Sequence, residues 1–265
     1  MVLVCLLASA TVTQSQGQAQ NQTVLLQHNF SGSPSTALSG VSLDVGEGEW
    51  AAGPGFFANG SVEQGVTNAA WLPFVPEAGK AYTLSARLTS SSSNPGLGFG
   101  FVQSIANLVG VSSRHAHLDT SGIAWILHRG DTINSPAAQH QAFYEGPSGN
   151  NRVDLQLALA TVDVVITLDA TDAENVWISL DLNDGAASVE PANVGPLAAL
   201  AITGVGFSCE NQEAIIKNFL LIETTSTQNG TLIMISSVSS WLLLCCAALY
   251  WRNIRKFSPA KTSAK

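Results

Sequence analysis

Between about Gln20 and Thr225, apolar and polar residues take turns along most of the chain. In "AYTLSARL", Tyr82, Leu84, Ala86 and Leu88 fall on one side, and Ala81, Thr83, Ser85 and Arg87 on the other. "VDLQLAL" sets Val153, Leu155, Leu157 and Leu159 against Asp154, Gln156 and Ala158, and "VDVVITL" sets Val162, Val164, Ile166 and Leu168 against Asp163, Val165 and Thr167. A period of two is that of a strand with one wet and one packed face. "TVLLQHNF", "LGFGFV", "IAWILHRGD", "HQAFYEG", "VWISLDLNDG", "AITGVGFS" and "AIIKNFLLIE" extend the series, and in "LGFGFV" Leu97, Phe99 and Phe101 oppose Gly98 and Gly100. "DATDAEN" and "NDG" supply hairpin chemistry, because Asn, Asp and Gly accept positive φ. No amphipathic helix of useful length appears. The pattern predicts an all-β fold, roughly a dozen strands in two facing antiparallel sheets.

One stretch departs from the alternation. "AAWLPFVPEAGKAYTLSARL", residues 69–88, begins with large apolar groups broken by Pro73 and Pro76. Prolines belong at strand edges or in connections. Trp71, Leu72 and Phe74 are therefore read as a plug closing one end of the sandwich rather than as a ligand platform.

Both ends of the chain read as export and anchoring segments. "MVLVCLLASATV" is an apolar run too short to span a bilayer, followed by polar "TQSQGQAQNQ" with small residues at Ala8, Ala10, Gly17 and Ala19, and it reads as a signal peptide over 1–19 without a basic leader. "LIMISSVSSWLLLCCAALYW" at 232–251 is free of charge and long enough for a hydrocarbon core of about 30 Å. Arg252, Arg255, Lys256, Lys261 and Lys265 follow it, so by the positive-inside rule 252–265 is a cytoplasmic tail. These limits leave a 20–225 domain and a 226–231 linker, displayed at the cell surface on a single transmembrane helix.

Charge narrows the range of partners. Only 11% of residues are charged, and removing the basic tail leaves six basic against 19 acidic residues, a net of −13. Such an exterior excludes nucleic acid and acidic polymers unless a cation bridges them. Neutral glycans, envelope proteins and calcium remain compatible. Cys209 is the one cysteine between the predicted signal and the predicted span, so no internal disulfide is available and packing alone must hold the domain.

The order of "FSG" (Phe30–Gly32), "LSG" (Leu38–Gly40), Trp50 through "GFFANG", "AAWLPFVPEAGKAYTLSARL", "GLGFGF", "AWILHRG", "ITGVGFS" and "IKNFLLIE" resembles the laminin-G-like, concanavalin A-like jelly rolls of exported bacterial proteins, over roughly residues 25–223. The resemblance implies a jelly-roll sandwich. Its motifs are structural and carry no activity. The C-terminus is similar to sorting tags of the Pro-Glu-Pro type, with the helix and "RNIRK" present, but "TTSTQNGT" stands where the motif would be. A permanent anchor is the simpler expectation, with C-terminal processing and release as its alternative.

Little in the chain carries catalytic chemistry. The Glu-x-Asp-x-x-Glu pattern of glycanases on this fold does not occur, and Asp44, Glu47 and Glu49 in "DVGEGEW" read as a turn. No G-x-S-x-G elbow or phosphate-binding glycine loop occurs either. His115, His117 and Asp119 in "RHAHLDTSG" read as a polar loop rather than a metal set, and "RGD" at 129–131 as turn chemistry rather than an adhesion motif. No cofactor is implied. Asp169, Asp172 and Glu174 are the candidate calcium loop, against an ordinary solvated turn.

Aromatic stacking on sugar is the remaining ligand chemistry. Trp125 shares parity with Ile123 and Leu127 and is assigned to the core. Trp177 lies opposite Val176, Ile178 and Leu180, and with Arg129 and Tyr144 it forms the candidate ligand site. Three functional readings follow: a surface-anchored, non-catalytic binding or adhesion domain with glycan as its ligand; a glycan hydrolase or lyase; and a structural matrix protein without a small ligand.

Overall fold

The computed structural model describes residues 20–226 apart from 64, 66, 91–95, 104–121, 129–139, 147–148, 156, 158 and 211–212. The chain divides into two units, Met1–Thr227 and Gln228–Lys265. The signal segment, the 232–251 span, the basic tail, Arg129 and the "RHAH" and "RGD" sequences all lie outside the described residues. Among the described residues, no helix is long and apolar enough to cross a membrane.

Fourteen strands are described: β1 (Gln20–His28), β2 (Ala51–Ala52), β3 (Ser61–Val62), β4 (Thr67–Pro73), β5 (Lys80–Ser90), β6 (Leu97–Val102), β7 (Gly122–His128), β8 (His140–Gly146), β9 (Gly149–Leu155), β10 (Thr161–Ala170), β11 (Val176–Leu182), β12 (Ala187–Gly195), β13 (Gly204–Glu210) and β14 (Ala214–Ser226). They form two antiparallel sheets. The first runs β1-β14-β5-β10-β11-β12, with β3 also on β14; the second runs β2-β4-β13-β6-β7-β8-β9. From β1 to β6 the chain changes sheet at every step, which is consistent with a jelly-roll sandwich. The only helix among the described residues is one turn, Leu197–Leu200.

The first sheet follows its alternation. Tyr82, Leu84, Ala86 and Leu88 are buried against Val162, Val164, Ile166 and Leu168, while their neighbours face outward. On the outer face Arg87 donates to Asp163 through Nε and Nη2 at 2.7 and 2.6 Å, and Thr89 pairs with Thr161. The "NDG" turn has positive φ at Asn183, Asp184 and Gly185, as its residue types predict. In β14 a bulge at Asn218 (φ 54°) breaks the register with β5, yet keeps both Ile216 and Phe219 in the core.

The second sheet is apolar on both faces. Its inner face sends Leu72, Val205, Phe207, Leu97, Phe99 and Phe101 into the core between the sheets. Its outer face carries a separate cluster of Ala69, Trp71, Val102, Trp125 and Leu127, with Ala51 and Phe143 packed against it. Trp125 is therefore buried as its parity suggests, but on the far side of its sheet from the main core. A bulge between Phe101 and Val102 puts Ile123 in the main core and ends the shared parity of Ile123 with Trp125.

Trp71 and Leu72 do not plug the sandwich end. Both lie inside β4, which pairs with β13 on one side and β2 on the other, so their side chains point to opposite faces of the sheet. Pro73 is tolerated because it is the last residue of that strand. Phe74 alone approaches the expected role, half-buried at the strand end with its ring 5.0 Å from Tyr82 and 6.0 Å from Phe101.

Two paired glycines let the tryptophans lie against the sheet. Register aligns Trp71, Gly206, Gly100 and Trp125 across four adjacent strands. A Cβ on Gly206 would come within 2.9 Å of the Trp71 Cβ, and one on Gly100 within 2.5 Å of the Trp125 Cβ and against the Ala124 carbonyl. These obstacles are backbone atoms of paired strands or the Cβ atoms fixed to them, and they cannot swing away. Gly100→Ala is expected to lower unfolding free energy by roughly 1–3 kcal/mol, as other overpacked cores do; an unchanged urea midpoint would show that the row is looser than described.

Candidate functional site

The outer face of the second sheet changes character toward its β8–β9 margin. The transverse row from Trp71 through Gly206, Gly100 and Trp125 continues to Phe143 and Arg152. The Trp125 and Phe143 rings stack at 4.3 Å and 10°. Trp125 is covered, at 3% exposure, whereas Phe143 is only half-buried. The next row brings Leu127, Gln141 and Asp154 together.

Asp154 organises the polar groups beside that ring. Its Oδ1 accepts from Gln141 Nε2 and from Arg152 Nε, both at 2.9 Å, and its Oδ2 accepts from Arg152 Nη2 at 2.8 Å. The carboxylate raises the pKa of Arg152 above its ordinary value, chiefly through these hydrogen bonds. Arg152 and Asp154 remain about half exposed, with side-chain exposures of 56% and 40%. The result is an aromatic ring edged by an amide, a carboxylate and a guanidinium that already hold one another in place.

Such a margin can bind a ligand that pairs an apolar face with polar groups. The carboxylates that β8 and β9 turn to this face are Glu145 and Asp154, and Glu145 pairs with Asn150, four residues from Asp154. At about 3.3 Å per residue their Cα atoms are roughly 13 Å apart.

The sequence-derived site is not assembled among the described residues. Trp177 is 44% exposed on the outer face of the first sheet, paired with Asp169 and Asn193. Tyr144 points the other way, from β8 of the second sheet into the core between the sheets. The first sheet lies between the two rings. On β8 it is Phe143, not its neighbour Tyr144, that shares the outward face with Gln141. The alternation of "HQAFYEG" sets Phe143 on the side of Gln141, and the pairing of β8 with β9 brings Asp154 to them.

The acidic loop is occupied with its own turn. Asp169 Oδ1 accepts from the Thr171 amide and hydroxyl, and Asp172 accepts from the Glu174 amide and Asn175 Nδ2. The Asn175 hydrogen bond, aided by the Glu174 amide, lowers the Asp172 pKa. Among the described residues, no group of three or more His, Cys, Asp or Glu side chains could hold a metal ion. Asp44 instead ties two distant segments together, its Oδ2 accepting from the Asn29 amide at 2.6 Å beside the Gln27–Val45 bridge.

No family model matches the chain, and no curated protein matches it. Among solved structures it is similar to the metal-free carbohydrate recognition domain of Emp46p, at 13% identity and a TM-score of 0.39 over 67% of this chain and 88% of that one. It is similar to a Bauhinia forficata lectin in complex with GalNAc, at 13% identity and 0.37 over 78% and 100%. A carbohydrate esterase from the Shiga toxin-encoding bacteriophage phi24B gives 14% and 0.43 over 78% and 100%. Likenesses this distant transfer neither ligand nor activity, and the sandwich assignment rests on the two sheets themselves.

A buried imidazole pair lies on the inner face beneath the same margin. His128 Nε2 donates to the Ala160 carbonyl at 2.9 Å, which leaves His128 Nδ1 to accept from His140 Nε2 at 2.8 Å. Burial, reinforced by His140, lowers the pKa of His128 to about 3, and burial lowers that of His140 to about 4. The Leu157 carbonyl works against the second shift, although no hydrogen bond of good geometry closes from His140 Nδ1.

Both rings are neutral in the fold and would take up protons first in the unfolded chain, where His titrates near 6.5. Their contribution is therefore constant above pH 6.5 and declines as pH falls from 6.5 toward 4 and 3, by up to about 1.4 kcal/mol per pH unit for each group. The urea midpoint is expected to fall over that window in the native chain and to fall less in a His128→Leu/His140→Leu variant. Equal slopes for the two proteins would remove the pair from the acid response.

Proposed function

We propose that this chain is a surface-displayed, non-catalytic glycan-binding domain whose ligand lies on the β8–β9 margin of the second sheet. The observation that carries the proposal is the half-buried Phe143 ring edged by the bonded set of Gln141, Asp154 and Arg152. A pyranose offers an apolar C–H face to such a ring and hydroxyls to fixed donors and acceptors around it. The acidic balance of the chain favours a neutral glycan over a polyanionic one.

Display outside the cell is supported by the apolar N-terminal run and by the charge-free 232–251 segment with its basic flank. A non-catalytic role is supported by the sequence, which has neither the Glu-x-Asp-x-x-Glu pattern nor a G-x-S-x-G elbow.

The test is a panel of neutral and acidic glycans against the detergent-solubilised full chain, with and without calcium. Neutral glycans are expected to bind, Phe143→Ala to weaken binding by about tenfold or more as loss of an aromatic anchor does, and Trp177→Ala to leave it unchanged. Absence of binding across the panel would contradict the proposal and favour a structural matrix role. Release of cleaved products from a polysaccharide panel would contradict the non-catalytic part.

A further inference from the structure

Both ends of the described domain leave the sandwich on the same side. β1 begins at Gln20 opposite Ser226, the last residue of β14, and beside them Thr225 pairs with Lys80 and Lys80 with Ala170. Three connections meet at this end and are tied together by backbone hydrogen bonds: Gly79 N to Ala170 O at 2.8 Å, Leu197 N to Ala173 O at 2.8 Å, and Phe74 N to Thr203 O at 3.0 Å. Between them lies a groove of about 410 Å³ lined mainly by aliphatic groups, among them Val75, Pro76, Ala78, Pro196, Leu197 and Ala201. Val75 is 69% exposed, more than any other large hydrophobic residue described. The opposite end, around Asn183–Gly185, carries a polar turn instead.

We infer that the Val75–Leu197 end of the sandwich rests on the surface of a lipid bilayer, with the aliphatic groove against the headgroup layer. The inference rests on the reading of 232–251 as a membrane span. Only residues 227–231 separate Ser226 from Leu232, so at about 3.5 Å per residue such a span would tether Ser226 within roughly 20 Å of the bilayer. An aliphatic patch held that close removes apolar surface from water by touching the interface. The charges around it are Glu77, Asp172, Glu174 and Glu223 against Lys80, whose ammonium bonds to Glu77 and Glu223 at 2.8 and 2.9 Å. That excess of negative charge fits a zwitterionic headgroup layer and opposes an anionic one.

The test uses the full chain reconstituted in phosphatidylcholine vesicles, with a fluorescent probe on Val75→Cys or, at the opposite end, on Asp184→Cys, and the probe signal of the chain without an added cysteine subtracted. Flotation with the vesicles after alkaline extraction reports the anchor. The Val75→Cys probe is expected to be quenched several-fold more than the Asp184→Cys probe by lipid carrying a headgroup nitroxide, and several-fold less by aqueous iodide. Equal quenching at the two positions in floating vesicles would overturn the inference while leaving the anchor intact. A chain that fails to float would overturn both.

Discussion

The pairing of Gly206 with Gly100 in the middle of the second sheet is the constraint from which the rest of the site follows. Two adjacent positions without a Cβ allow Trp71 and Trp125 to lie close over the sheet from either side. Those indoles turn the outer face into a second apolar layer, distinct from the core between the sheets. The first sheet has no counterpart, since its outer face carries Arg87, Asp163, Thr89 and Thr161 in mutual contact. One sheet is thus buried on both sides and the other on one, and at the β8–β9 margin the second layer gives way to exposed polar groups.

The terminal strands give the domain a direction. Because β1 and β14 pair antiparallel, the segments before and after the domain leave together, and the connections on that side are aliphatic and capped by hydrogen bonds. The hairpin at Asn183–Gly185 and the buried histidines belong to the other side. The groove around Val75 and Leu197 and the Phe143 margin of β8–β9 have no residue in common.

Where one face was wet and the other packed, the chain was legible. "AYTLSARL" and "VDVVITL" gave β5 and β10 with correct facing, and "NDG" gave its turn, because burial on a single side makes the period of two unambiguous. Legibility failed where the sheet is apolar on both faces. In "AAWLPF" nothing distinguishes a doubly buried strand from a plug, and Pro73 looks like a break although it only ends β4. In "HQAFYEG" both Phe143 and Tyr144 are aromatic, so parity had to be taken from neighbours. The bulge at Phe101–Val102, which shifts Ile123 relative to Trp125, has no signature in residue type. The union of Gln141, Asp154 and Arg152 depends on the pairing of β8 with β9, which alternation alone does not specify.

The central claim is that a neutral glycan is held at Phe143 by groups that Asp154 has already positioned. Side-chain NMR of the isotopically labelled full chain in detergent micelles, titrated with a neutral oligosaccharide, tests it most directly. The account predicts saturable shifts at the Phe143 ring, the Gln141 amide and the Arg152 guanidinium, with the Trp177 indole N–H unmoved. Shifts centred on Trp177, or none at the β8–β9 margin while binding saturates, would contradict it.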